Sequence, residues 1–194
     1  EESKNTQQLD TIFNLRDHLT VENGVPKTEM TTLLPCSTGQ RLTDVIDLER
    51  ASYPADEAAS QETLGYRVEV APELFRVQLA DQSERVAGFV CATAAPQGTT
   101  HLTHETMSNH AVQGTVVCIH SVVVRPELRR RGLGLALVKT YIRELRESGR
   151  YEKALLLSKQ RLIPFYQQAG FSLDGPSRVQ HGVDVWYELR LDFT

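Results

Sequence analysis

A basic turn with two glycines is the part of this 194-residue chain whose residue types and spacing are most suited to chemistry. The turn Arg129-Arg130-Arg131-Gly132-Leu133-Gly134 follows the apolar run Val122-Val123-Val124, and apolar residues at helical spacing come after it. A helix N-terminus offers unpaired N–H groups and a partial positive charge, which favour an anion. Glycine removes the Cβ that would keep a phosphate away from the backbone. The segment is therefore predicted to cradle a pyrophosphate.

Two common phosphate-binding patterns do not fit this turn. A dinucleotide-binding fingerprint needs a third glycine three residues after Gly134, and Leu137 stands there. A Walker A loop needs Gly-Lys-Ser/Thr, and no such triplet follows. The pattern that remains is Arg-x-x-Gly-x-Gly after a strand. For such a segment taken alone, the alternative to a phosphate cradle is a tight turn exposed to solvent.

The surrounding sequence predicts the elements that position the turn. Apolar, β-branched runs at 86–92, 115–124 and 154–157 predict buried strands. Apolar residues at helical spacing over 135–145 predict a helix that starts at the turn, and 163–169 predicts a short second one. Helices early in the chain, followed by strands crossed by helices, indicate one mixed α/β (α+β) domain.

The first 27 residues differ from the rest. They carry one short apolar stripe at helical spacing, which Asn23-Gly24-Val25-Pro26 interrupts. We expect residues 1–27 to form an arm, either a short docking helix or a partly disordered segment, and residues 28–194 to form the domain.

Composition excludes several classes of function. Lys plus Arg is 21 and Asp plus Glu is 25, so the net charge of −4 argues against a dedicated nucleic-acid binder. No apolar run is long enough to span a membrane. Three distant cysteines, Cys36, Cys91 and Cys118, form neither a disulfide framework nor a zinc site, so a reducing, cytoplasmic location and no metal are expected.

The basic turn resembles the acyl-CoA pyrophosphate-binding motif of the GCN5-related N-acetyltransferase (GNAT) superfamily. Leu162-Ile163-Pro164-Phe165-Tyr166 through Gly170-Phe171 is similar to the fourth-helix signature of that superfamily. Cys118-Ile119-His120-Ser121 is similar to a histidine-rich strand of the arylalkylamine (serotonin) N-acetyltransferases, and Pro54-Ala55-Asp56-Glu57 to a segment of fungal polyamine acetyltransferases. The resemblance covers roughly residues 31–193, and no phospho-dependent 14-3-3 docking motif of the vertebrate type is present.

The resemblance implies a fold and a co-substrate. The fold is a mixed, mostly antiparallel, V-shaped sheet flanked by helices, in which a bulge splays two neighbouring strands so that acetyl-CoA enters the gap. The resemblance implies that Val122, Val123 and Val124 contact the pantetheine arm through their backbone. It places the pyrophosphate on the turn, at these residues: Arg129, Arg130, Arg131, Gly132, Leu133, Gly134 and Leu135. Acetyl-CoA is consumed as a co-substrate, and no metal is needed.

The same resemblance implies two catalytic residues. Only about one alkylamine in two thousand is neutral near pH 7, so the acceptor must lose a proton before it attacks the thioester. His120 is the predicted proton outlet, because imidazole titrates near neutrality. Vertebrate members carry a second histidine where this chain has Cys118, so His120 is expected to act alone. Tyr166 is the predicted acid for the leaving thiolate, while core packing is the alternative role for both residues.

Four residues are expected to contact the acceptor amine. Tyr53 and Leu157 match an apolar slot in the arylalkylamine enzymes, which favours an indole or phenyl ring. Asp56 and Glu57 suggest a charged rim for the second ammonium of a polyamine. Burying a ring contributes roughly 1.5–3 kcal/mol, against about 0–1 kcal/mol for an exposed ion pair, so arylalkylamines are predicted to be the better substrates.

Other interpretations stay open at the level of sequence. The turn would also be present in a polyamine acetyltransferase, in an enzyme for protein lysines or N-termini, and in a non-catalytic CoA-binding regulator. The acceptor groove would distinguish the enzymes from one another. The loss of His120 and Tyr166 would mark a regulator. His101, His104 and His110 lie in a polar segment without a cysteine or a carboxylate pair, and a solvated loop is expected there rather than a metal site.

Overall fold

A computed structural model describes residues 21–22, 25–26, 32–80, 84–180 and 182–193. The chain divides into two units, residues 1–30 and 31–194, and each is described by itself. In the first unit, β1 (Val21–Glu22) pairs antiparallel with β2 (Val25–Pro26). The rest of the predicted arm lies outside the described residues.

Seven strands of the second unit, within the described ranges, form one mixed sheet in the order β3-β4-β5-β6-β7-β9-β8. The β6–β7 pair is parallel and the other neighbours are antiparallel. The strands are β3 (Leu34–Pro35), β4 (Phe75–Leu79), β5 (Val86–Ala95), β6 (Val116–Val124), β7 (Lys153–Lys159), β8 (Ser172–Pro176) and β9 (Trp186–Asp192). The strands predicted at 86–92, 115–124 and 154–157 are confirmed as β5, β6 and β7.

Helices cover both faces of this sheet. They are α1 (Gln40–Ser52), α2 (Gln61–Val70), α3 (His104–Ser108), α4 (Leu133–Glu147) and α5 (Ile163–Gln168). α4 and α5 pack on one face against alternate residues of β5 and β6, and α1 and α2 pack on the opposite face. α2 starts where Ser60 accepts a hydrogen bond from the Thr63 N–H at 3.1 Å, which is a common N-cap arrangement.

A β-bulge in β6 decides which way its side chains point. Cys91 of β5 faces Ser121, and the next residue, Ala92, faces Ile119, so His120 is the extra residue. Val117 and Ile119 pack under α4 before the bulge, and Val122 and Val124 do so after it. A spacing of three instead of two between Ile119 and Val122 places His120 and Ser121 together on the opposite face.

The sheet opens between β6 and β7. Their parallel pairing ends at Ile119 and Leu156, although β6 continues to Val124 and β7 to Lys159. Backbone groups of β6 beyond the bulge therefore face a gap instead of a neighbouring strand. This is the V-shaped opening that the resemblance implied.

One predicted loop contains a helix. The polar segment with His101, His104 and His110 was expected to be a loop, but α3 forms within it, where the Thr103 and Thr106 side chains cap each other's backbone N–H groups. Threonine in place of the usual Glu or Gln at the third helical position hides this capping box in the sequence. In the part of the chain described, no helix is both long enough and apolar enough to cross a membrane.

Candidate active site

The basic turn adopts the conformation that its glycines predict. Gly132 has φ 82° in the left-handed region and is the N-cap of α4, and Arg130 beside it also has a positive φ of 64°. The turn therefore reverses within a few residues and exposes the first N–H groups of a 15-residue helix. This backbone fits the pyrophosphate of acetyl-CoA, because a helix start with its N–H groups unpaired is an anion site.

The two glycines of the turn do different work. A Cβ on Gly132 would meet nothing within 4 Å, so its backbone conformation explains the glycine. A Cβ on Gly134 would touch Phe165 and Val124 at 3.5 Å, an ordinary contact distance. That both glycines let the backbone approach a phosphate stays a prediction.

Arg129 anchors the turn. Its Nε donates to the Val124 carbonyl at 2.8 Å and its Nη2 donates to the Ser52 hydroxyl at 2.9 Å. The turn is thereby tied to the end of β6 and to α1. Arg130 and Arg131 are exposed, as expected for groups that meet a solvated phosphate.

A cleft of about 540 Å³ occupies the gap between β6 and β7. It is lined by Val122, Val123, Val124 and Arg129 among the predicted cofactor residues, and by His120, Tyr166, Tyr53 and Leu157 among the predicted catalytic and substrate residues. The Val123 side chain itself is buried under α1 and α2. The other predicted cofactor residues, Arg130 to Leu135, follow directly in the chain.

A second cavity of about 240 Å³ lies on the α1–α2 side and shares wall residues with the cleft. The shared residues are Tyr53, Glu57, Ile119, His120, Leu157 and Trp186. Its other walls include Met107 of α3 and the polar side chains of Glu49, Thr63, Arg67 and Ser121. An acceptor in this cavity would face the cleft across His120.

His120 has one ring nitrogen engaged and one left over. Nε2 lies 2.8 Å from the Thr93 hydroxyl, whereas Nδ1 is buried without a hydrogen-bond partner among the described residues. Removal from water, aided by the positive charge of Arg67, holds the pKa of His120 well below its ordinary value. The imidazole is therefore neutral at pH 7, and when Nε2–H donates to Thr93, Nδ1 carries a lone pair.

Two tyrosines face the same cleft. Tyr166 packs edge-on against Phe165 and Phe171, with ring centroids 4.9 and 5.9 Å away, and burial raises the pKa of its phenol. Burial also raises the pKa of Tyr53, with further contributions from Tyr166 and Glu49, while the Val122 amide and the Ser121 hydroxyl oppose the shift by hydrogen bonding. Both phenols therefore stay protonated well above neutral pH.

The buried carboxylate of Glu49 contacts the bulge in β6 through Ser121. Glu49 is 1% exposed, and its Oε1 accepts from the Ser121 hydroxyl at 3.1 Å and from the Ala59 N–H at 3.0 Å. This contact joins α1, β6 and the start of α2. Sequence reasoning missed Glu49, although a carboxylate four residues after Val45, on the apolar side of α1, was a readable signal.

The expected charged rim differs from the observed arrangement. Asp56 is exposed and is not among the residues that line either cavity. Glu57 is buried, and its Oε1 accepts from Lys159 Nζ at 2.6 Å. Glu57 therefore cannot act as the exposed carboxylate that the sequence suggested, because the ammonium of this chain's own lysine already holds it.

Two of the three loop histidines, His101 and His110, contact other parts of the domain, whereas His104 is exposed. His101 Nδ1 contacts Glu188 at 3.2 Å, and His110 Nδ1 accepts from the Ala94 N–H at 3.2 Å. Burial raises the pKa of the Cys118 thiol to about 12, so it is not a base at neutral pH. Across the described ranges, no three His, Cys, Asp or Glu side chains are grouped as a metal site would require.

Comparison with known proteins connects this geometry to one family. The model of the acetyltransferase (GNAT) family matches residues 42–171. Glucosamine 6-phosphate N-acetyltransferase of Trypanosoma brucei brucei is 34% identical over 138 residues, which cover 67% of this chain and 92% of that protein. Serotonin N-acetyltransferase of Mesocricetus auratus is 30% identical over 89 residues, covering 46% of this chain but only 43% of that relative.

Solved structures share the fold. The loading GNATL domain of CurA from Lyngbya majuscula superposes with a TM-score of 0.71 at 16% identity, covering 84% of this chain and 97% of that one. The GphF GNAT-like decarboxylase in complex with isobutyryl-CoA gives a TM-score of 0.72 at 17% identity, covering 84% and 100%. At such identities the likeness concerns the fold, and it confirms the predicted architecture.

Proposed function

The chain belongs to the acetyltransferase (GNAT) family, and we propose that it transfers the acetyl group of acetyl-CoA directly to the primary amine of a small arylalkylamine such as tryptamine, phenylethylamine or serotonin. The observation that carries the proposal is the meeting of two cavities at His120 and Tyr53, one beside the basic turn and one on the α1–α2 side. Acetyl-CoA, bound along β6 and the turn, would supply the activated acetyl group.

The walls of the smaller cavity favour a small, flat, apolar acceptor. Tyr53, Met107, Ile119, Leu157 and Trp186 contribute apolar or aromatic surface. Its volume of about 240 Å³ is below the roughly 300–1,000 Å³ of sites for drug-sized ligands. An indole or phenyl ring suits these walls better than a folded protein or a long polyamine would.

His120 is the proposed proton acceptor. The residue lines both cavities, its Nδ1 is buried without a partner among the described residues, and its lowered pKa keeps it in the neutral form that can accept a proton. Thr93 fixes the ring through Nε2 at 2.8 Å. A proton leaving the amine would thus reach Nδ1 directly or through one water.

Tyr166 is the proposed proton donor to the departing thiolate. It lines the cleft from α5, and its neighbour Phe165 lies close enough to the turn that a Cβ added at Gly134 would be 3.5 Å from the Phe165 ring. Its raised pKa keeps the phenol protonated across the physiological range. A protonated phenol beside the sulfur avoids the release of a free thiolate, whose intrinsic pKa is roughly 8.5.

A sugar-phosphate acceptor is the second candidate, because one relative acts on glucosamine 6-phosphate. A phosphate in the smaller cavity would meet the carboxylates of Glu49 and Glu57 as well as Arg67. Because Lys159 already pairs with Glu57, the charges around this cavity nearly balance, and its apolar and aromatic walls favour an arylalkylamine over a sugar phosphate.

The deciding experiment is a steady-state screen at pH 7.5 with acetyl-CoA and five acceptors: tryptamine, phenylethylamine, spermidine, glucosamine 6-phosphate and a lysine peptide. We expect kcat/KM for tryptamine to exceed each non-aromatic value at least tenfold, the scale of burying a ring. A higher kcat/KM for glucosamine 6-phosphate or the peptide would overturn the arylalkylamine assignment. Binding of acetyl-CoA without turnover of any acceptor would indicate a CoA-binding regulator instead.

A further inference from the structure

Lys159 joins two segments of the chain in the wall of the larger cleft, next to the residues that this cleft shares with the smaller cavity. Its Nζ lies 2.6 Å from Glu57 Oε1, after α1, and 2.7 Å from Asp184 Oδ2, just before β9. The same ammonium is 5.3 Å from the ring centroid of Trp186. The lysine side chain is 15% exposed and that of Glu57 2% exposed, so the Lys159–Glu57 pair is shielded from water, whereas Asp184 is 54% exposed.

This arrangement has the composition of an alkylammonium site. Two carboxylates supply charge-assisted hydrogen bonds, and the face of an indole attracts a cation. Burial alone would lower the pKa of Lys159, but its hydrogen bonds to Asp184 and Glu57 raise it on balance, so the amine stays charged. The site is therefore occupied by an ammonium that belongs to the chain itself.

The position of this cluster relates it to the acceptor. Glu57 and Trp186 line both cavities, and Lys159 and Asp184 line the larger one. The other carboxylate of the smaller cavity, Glu49, is 1% exposed and holds Ser121 and Ala59. A second ammonium on an acceptor would thus meet a like charge at the place where carboxylates could have bound it.

We propose that Lys159 is a specificity determinant that excludes diamines and polyamines by filling, from within, the Glu57–Asp184–Trp186 site that would otherwise bind their second ammonium. This inference rests on the proposed function and narrows it to acceptors with a single positive charge. It also reverses the role that the sequence suggested for Glu57, because this carboxylate binds Lys159 of the same chain instead of the ammonium of a substrate.

The test removes the charge of Lys159 and measures the activity with a polyamine and with an arylalkylamine. In Lys159→Met, we expect the ratio of kcat/KM for spermidine to kcat/KM for tryptamine to rise at least tenfold. Lys159→Arg keeps the charge and should keep spermidine at the wild-type level. Lys139→Met, at an exposed position of α4, is the control for loss of a surface lysine. A gain of activity cannot come from partial unfolding.

Direct binding provides a readout that does not depend on turnover. Isothermal titration should show spermidine binding at least tenfold more tightly to Lys159→Met than to wild type. If Lys159→Met does not fold, Lys159→Gln, which retains a donor for Glu57 but no charge, should show the same direction of change.

The possible failures are distinguishable. An unchanged spermidine-to-tryptamine ratio and unchanged spermidine affinity in both neutral variants, or an equal gain in Lys159→Arg, would overturn the role of Lys159 and leave the arylalkylamine proposal intact. If wild type turns over neither amine, the proposed function fails. Tighter spermidine binding by Lys159→Met would then still support the inference that the Lys159 ammonium excludes a polyamine.

Discussion

At the scale of single residues, the site combines groups that are each held in one protonation state by burial. His120 is kept neutral, and Tyr53 and Tyr166 are kept protonated, because charging any of them in this environment costs desolvation energy. A neutral imidazole and a protonated phenol are the forms that a proton acceptor and a proton donor need at pH 7. The burial that stabilises the fold therefore also prepares the proposed chemistry.

Tyr166→Phe tests the proton donor. The ring stays, so its edge contacts with Phe165 and Phe171 should persist. We expect kcat to fall by about 10²-fold or more, the usual scale for losing one general acid, with acetyl-CoA affinity changed less than threefold. Rapid-quench kinetics and isothermal titration measure the two quantities. A fall in affinity with unchanged kcat would assign Tyr166 to binding or packing.

His120→Ala tests the proton outlet through pH. We expect the ratio of wild-type to variant kcat/KM to be larger near pH 6.5 than near pH 9, because more of the amine is already neutral at the higher pH. Because the pKa of His120 is lowered, its imidazole is still neutral in the wild type at pH 6.5 and can accept a proton. His104→Ala, in an exposed position, is the matched control. A ratio independent of pH would count against His120.

At the scale of elements, one inserted residue in β6 and one tight turn before α4 define the site. The bulge turns His120 and Ser121 to the same face, where Thr93 and Glu49 hold them. In the gap that follows, between β6 and β7, the backbone of β6 has no neighbouring strand, and the Val124 carbonyl accepts from Arg129 instead. The turn then presents the start of α4 beside that gap, so the proposed cofactor and acceptor positions lie along consecutive parts of one strand–turn–helix unit.

The two glycines of the turn should respond differently to alanine. Gly132→Ala places a Cβ on a left-handed residue and should destabilise the fold by about 1 kcal/mol. Gly134→Ala adds a Cβ at ordinary contact distance from Phe165 and Val124 and should change stability by less than about 0.5 kcal/mol. Urea unfolding measures both, and equal effects would contradict the assignment.

At the scale of the whole molecule, histidines with lowered pKa values make the stability of the fold depend on pH. His120 has a lowered pKa from burial and Arg67, and His110 has one chiefly from burial. For each, the folded pKa lies below the unfolded value of about 6.5, so the unfolded chain binds the proton first. Their contribution to stability is present above pH 6.5 and is lost as pH falls below it.

Thermal unfolding from pH 7.5 to 5.5 should show this loss. We expect Tm to fall on acidification, by roughly 2–4 °C for each kcal/mol lost in a domain of this size. His120→Gln, which cannot titrate, should have a shallower dependence of Tm on pH than wild type. A Tm that rises as pH falls to 5.5 would show that other groups, such as Glu188 with its raised pKa, dominate.

The sequence by itself determined the parts of this protein that depend on short stretches of chain. The turn from Arg129 to Gly134 could be interpreted as an anion cradle, because a helix start and the backbone freedom of Gly132 are local properties. The strands β5, β6 and β7 followed from their apolar runs. His120 and Tyr166 could be singled out for their residue types and for the motifs around them.

Tertiary structure alone decided how distant residues converge. The partners of His120 and Ser121, Thr93 and Glu49, come from β5 and α1, and no spacing in the sequence links them. Glu57 looked like an exposed rim carboxylate, but it is buried against Lys159, 102 residues later in the chain. A carboxylate's local sequence says that it is charged, whereas its role depends on whether water, a substrate or a lysine of the same chain stands opposite, and only the packing of the sheet sets that.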